Sequence, residues 1–167
     1  MFLRYRILFI LFLLLVSCDG GLAPVEESTA TGFRGRITFK GNWPVEFTQT
    51  HIVLFKDPLN SAGDFNILNL KFVGNAIPAG STEYFFTTDG NALINDVKAG
   101  EYSYLAVAQS KSIILSLTRD AWEIIGLYSD AADPNMPAKV IVPESAMVDS
   151  VNIVCDFDNP PVQPPGG

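Results

Sequence analysis

Apolar and polar residues alternate in short runs between residues 33 and 157, with turn residues between the runs. In FRGRITFK (33–40), Phe33, Ile37 and Phe39 share one side, as period-2 alternation in a half-buried strand requires. HIVLFKD (51–57) is a denser apolar run. FNILNLKFV (65–73) groups Leu68, Leu70 and Phe72 on one face. STEYFFTT (81–88), ALINDV (92–97), EYSYLAVAQ (101–109), AKVIVP (138–143) and SVNIVCDF (150–157) complete about eight predicted strands. Regular turn spacing without a long amphipathic helix predicts an all-β fold, an antiparallel sandwich or barrel. Residues 110–137 are less regular and could hold a strand, a helical turn or the long crossing connection expected of a Greek key.

The start of the chain follows another pattern. MFLRYR (1–6) carries two arginines, and ILFILFLLLV (7–16) has no polar side chain. A basic segment followed by a short apolar run is a secretory signal. Ten residues make roughly 15 Å of helix, about half a bilayer core, so a permanent span is not expected. The run ends at Leu15-Val16-Ser17-Cys18. This resembles the lipobox of bacterial lipoproteins, in which the cysteine receives lipid and becomes the first residue after cleavage. The resemblance implies lipidation at Cys18 and a location in the bacterial cell envelope, at the outer membrane. Two or more acyl chains anchor stably where one is marginal.

The expected organisation is a signal peptide (1–17), a lipidated cysteine with a flexible tether (18–32), a β-sandwich domain (33–158) and a Pro/Gly-rich tail (159–167). NPPVQPPGG, the last nine residues, holds four prolines and is expected to form no packed element. Without residues 1–17 the chain keeps 9 basic and 18 acidic side chains, a net charge of −9. That balance argues against nucleic acid and against an electrostatic grip on anionic lipid.

FTTDGNALINDVKAGEYSYLAVA (86–108) carries a further likeness. Asp89-Gly90 and Ala99-Gly100 mark turns, and Tyr102 follows the second. These positions resemble the carboxypeptidase regulatory-like and transthyretin-like (prealbumin-like) family, with Lys98 where that family often has proline. The resemblance implies a prealbumin-like, antiparallel Greek-key β-sandwich of about 7–8 strands. It also implies a non-catalytic accessory, binding or structural role.

Catalytic chemistry is not visible. The single histidine, His51, lies on a predicted strand with no nucleophile motif near it in sequence. Cys155 falls on the apolar side of the last strand and reads as a core residue. The chain is therefore expected not to be an enzyme and to need no cofactor. YSDAADPN places Asp130 and Asp133 in one loop, and CDFDN places Asp156 and Asp158 in another. Such loops either hold calcium or serve as ordinary solvated turns. Trp43, in a turn, and Trp122, within an apolar stretch, either stack on a ligand or pack. The expected function is a lipid-anchored envelope module that binds a protein partner. The alternative is a carbohydrate-binding or adhesive surface lipoprotein that engages a glycan.

Overall fold

The computed structural model describes residues 30–166. The signal peptide, Cys18 and the tether up to residue 29 lie outside the described residues. Thirteen strands run in order: β1 (Gly32–Lys40), β2 (Gln49–Phe55), β3 (Leu70–Val73), β4 (Glu83–Thr87), β5 (Ile94–Asn95), β6 (Gly100–Tyr102) and β7 (Tyr104–Ser110). They continue as β8 (Glu123–Leu127), β9 (Ser129–Asp130), β10 (Asp133–Pro137), β11 (Val140–Val142), β12 (Met147–Val148) and β13 (Ile153–Asp156). With 42% strand and 4% helix, the fold is all-β. Among the described residues no helix is long and apolar enough to cross a membrane.

Nine of these strands build one curled sheet, while β6–β11 and β9–β10 form two small separate pairs. The path of the sheet runs β12, β1, β13, β8, β7, β2, β3, β5, and β4 also pairs with β1. The sheet is mixed, which corrects the antiparallel expectation. β1 runs parallel to both β12 and β13, and antiparallel to β4. Alternation of the backbone groups explains how one strand serves three partners. Gly32 N–H, Arg34 C=O, Arg36 N–H and Lys40 C=O turn toward the 146–157 segment. The Phe33 carbonyl and the Phe39 N–H turn toward β4 and its flanks. β12 and β13 are thus two halves of one partner, interrupted at 149–152. There Ser150 takes φ 62° and Val151 crosses close over Gly35. Asn152 Oδ1 accepts the Arg36 N–H that a strand would otherwise take, at 3.0 Å.

The curl brings distant strands together inside. Phe33 of β1 meets Phe72 of β3 and Phe86 of β4 edge-on, with centroids 6.3 and 5.9 Å apart. Asn95, in β5, donates from Nδ2 to the Thr88 carbonyl just after β4, at 2.7 Å. The small β6–β11 pair adds Tyr102, Val140 and Val142 to this inner core. Gly100 opens that pair with φ 145°, a conformation that favours glycine. Tyr102 then folds back on its own turn, with its hydroxyl bonded to both Lys98 backbone groups at 2.8 Å.

A second core lies on the outer face of the same sheet and holds Val53, Phe55, Leu70, Tyr104, Trp122, Ile124 and Leu127. Central strands buried on both faces explain the unbroken apolar runs of β2 and β7. The cover over this face comes from loops. Two sequence expectations change here. Residues 65–69 do not extend β3, because Asn66 Oδ1 accepts the Leu68 and Asn69 N–H groups and holds a turn. Leu68 is exposed as a result, away from Leu70 and Phe72. The segment 92–97 shrinks to the two-residue β5. The proline-rich stretch is also not free of packing. Pro164 is buried against the sheet, and Arg119 donates from Nη2 to its carbonyl at 3.0 Å.

Candidate interaction surface

Strand directions place two loops at one end of the sheet. β1 and β7 end there, and β2 and β8 begin there. The loop 41–48 joins β1 to β2, and the stretch 111–122 joins β7 to β8. The described chain enters at the opposite end, at the start of β1. The two loops are tied at their bases. Thr48 donates its N–H to the Ser110 carbonyl at 2.9 Å and its hydroxyl to the Ser112 carbonyl at 2.8 Å. Gln49 Nε2 donates to the same Ser112 carbonyl at 2.6 Å. The Lys111 ammonium lies 5.0 Å from the centre of the Phe47 ring.

Hydroxyls satisfy the backbone of the second loop. Ser112 Oγ accepts the Ile114 N–H and donates to the Ile114 carbonyl. Ser116 Oγ accepts the Thr118 N–H, and the Ser116 carbonyl accepts the Trp122 indole N–H at 2.8 Å. With these groups used internally, the loop turns its aliphatic side chains outward. Ile113 is 83% exposed and Ile114 is 73% exposed, with Leu115 and Leu117 also exposed. On the neighbouring loop Val45 is 97% exposed. Single exposed apolar residues are common, but here Val45, Ile113, Ile114, Leu115 and Leu117 lie on two adjacent loops, which makes this end the candidate surface. Composition hides this cluster, because SIILSL reads as a core segment. The legible signal is its serines, whose hydroxyls can bond the nearby backbone and favour a closed loop over a strand or helix.

The two sequence-predicted tryptophans belong to these loops but turn inward, and the acidic residues fall elsewhere. Trp122 is 6% exposed and sits in the outer core, edge-on to His51 at 6.0 Å between centroids. Its ring packs in this core, as the packing alternative expects. Trp43 is half-buried between Phe39 and Phe157, with its indole N–H donated to the Ser81 carbonyl at 2.9 Å. The acidic loops act as turns. Asp130 Oδ1 accepts the Ala132 N–H, and Asp133 Oδ1 accepts the Asn135 N–H. Asp156 Oδ1 accepts the Asp158 and Asn159 N–H groups. Among the described residues, no three His, Cys, Asp or Glu side chains come together as a metal site would need.

Burial governs the titratable groups inside. Cys155 is fully buried against Gly126, and desolvation raises its thiol well above the usual range. Such a thiol is a packing group rather than a nucleophile. Tyr104 is pushed up to about 12 by burial. Burial lowers His51, opposed by the hydrogen bond between Nδ1 and the Gly74 carbonyl at 2.9 Å. The sign of the pH effect follows. The unfolded chain protonates His51 near 6.5, while the folded chain keeps it neutral to lower pH. Stability is therefore full above that value and falls as pH drops through it. Chemical denaturation across this window should show the loss in the natural chain and not in His51→Gln. An equal slope in both would assign the loss to other groups.

The chain matches no family model, no curated protein and no solved structure.

Proposed function

We propose that this chain is a lipid-anchored, non-catalytic accessory module of the bacterial cell envelope that binds a protein partner through the loop end at 41–48 and 111–118. The observation that carries the reading is the cluster of exposed aliphatic side chains at that end, led by Val45, Ile113 and Ile114. A protein groove removes such side chains from water at about 25 cal/mol per Å². Cys18 is proposed as the acylated residue, and the described chain enters at the end of the sheet opposite these loops. An outer-membrane location and the prealbumin-like relationship belong to the same proposal. The second rests on the turns at Asp89-Gly90 and Ala99-Gly100 and on the Tyr102 hydroxyl bonded back to Lys98.

Photo-crosslinking from position 114 on host cells tests the reading. One envelope protein should recur at near-equal amount, and the Val45→Ser/Ile113→Ser pair should lose it while the unfolding midpoint stays unchanged. Cys18→Ala should release the chain from membranes. Crosslinks to lipid alone, or a partner that survives the double substitution, would overturn the assignment of this surface.

A further inference from the structure

We propose that the groove along the free edge of β8 receives an extended proline-rich segment of a partner protein, with residues 160–166 occupying it as a resident stand-in. This rests on the reading of the chain as a protein-binding module, but it uses a surface separate from the loop end.

The edge itself suggests the site. β13 pairs with β8 at a single position, Cys155 with Gly126. The first half of β8 therefore has strand neighbours on one side only. Ile124 directs both backbone groups to the open side, and a side chain meets them. Gln163 Oε1 accepts the Ile124 N–H at 2.8 Å, and Gln163 Nε2 donates to the Ile124 carbonyl at 2.8 Å. One carboxamide thus takes the place of a pairing strand. The other anchors are few. Asn135 Oδ1 accepts the Val162 N–H at 3.1 Å, and the Pro164 carbonyl accepts from Arg119.

Space remains on both sides of the occupant. A cavity of about 690 Å³ lies between Ile125, Val154, Asn135 and Pro161. Another of about 370 Å³ lies between Leu59, Tyr104, Met136 and Val162. Both reach Leu127 and Asn135, so the segment bridges a groove wider than itself. Proline suits such a groove. Its extended backbone is preformed, so binding orders little, and it brings no N–H that lacks a partner. The floor tolerates exchange. Arg119 is 5% exposed, touches only carbonyls through its Nη atoms and leaves Nε without a partner. Vacating the groove hydrates this cation, which offsets part of the lost packing.

The fit of PPVQPP defines the partner chemistry: an extended proline-rich stretch with a carboxamide side chain at its centre. A segment held in cis has a millimolar effective concentration, so a competitor in trans meets a strong rival. Calorimetric titration of the full chain with a peptide of residues 159–167 reads this directly. The natural chain should show no saturation below about 1 mM. Gln163→Ala strands two backbone groups of Ile124 and should bind the peptide at least about tenfold more tightly than the natural chain does. The peptide with alanine for glutamine should lose that gain. Asn135→Ala releases only the Val162 N–H, on an exposed residue, and should give a smaller step in the same direction. The proposal is overturned if neither variant binds the peptide better than the natural chain, if both peptides bind alike, or if Gln163→Ala instead dimerises by exchanging segments between copies. Loss of the crosslinked partner at the loop end would leave these titrations unchanged, so the two readings fail separately.

Discussion

Gly35→Ala should cost about 3 kcal/mol or more, a large part of the stability of a domain this size. A Cβ at residue 35 would stand 1.9 Å from the Val151 carbonyl oxygen and 2.5 Å from its carbon. Both are backbone atoms, so no side-chain rotation relieves the overlap. The 149–152 crossing would have to lift from β1. That movement breaks the Val151 N–H bond to Arg34 at 3.2 Å and the Asn152 bond to the Arg36 N–H. The β1–β12 and β1–β13 pairings depend on this crossing, so the two ends of the chain would part. The Arg34–Asp149 ion pair spans the same crossing. It is too exposed to compensate. Gly90→Ala is the matched control. Its nearest side-chain atom lies 3.5 Å away and its backbone is not in the left-handed region, so its effect should stay within about 0.5 kcal/mol. Urea unfolding of both variants decides. A Gly35→Ala midpoint equal to that of the natural chain would refute the close approach.

Trp122→Ala should cost about 3–5 kcal/mol. The ring is enclosed by the outer core and its indole N–H holds the Ser116 carbonyl. Its removal leaves a large cavity beside His51 and frees the base of the exposed loop. Hydrogen exchange should therefore quicken in residues 112–118 as well as in β8. Trp43→Ala should cost less, because that ring is only half-buried between Phe39 and Phe157. Trp122→Ala with unchanged stability but lost glycan binding would restore a ligand role to this residue. Thermal unfolding with parallel glycan binding separates the two.

Much of the strand pattern was legible in the sequence. Phe33, Ile37 and Phe39 face inward as their alternation requires, and Cys155 lies in the core. The continuous runs of β2 and β7 follow from burial on both faces. The turn at Ala99-Gly100 and the buried Tyr102 are local features, set by residues a few positions apart. The candidate surface was harder to read. Ile113 and Ile114 have core-like side chains, and only the serine hydroxyls that close their loop turn them outward.

By itself the sequence determined the all-β class and the positions of most strands, because alternation and turn residues act over a few residues. It also determined the acidic net charge, because charge is a sum over the chain. Only the tertiary structure decided that the first and last strands pair in parallel, since that pairing depends on Val151 crossing Gly35 from more than a hundred residues away. Only the tertiary structure placed the proline-rich segment, because its main anchors are the carboxamide of Gln163 and the carbonyl of Pro164, which meet groups about forty residues distant. Alternation describes which side a residue faces; it carries no information about which distant backbone group stands there.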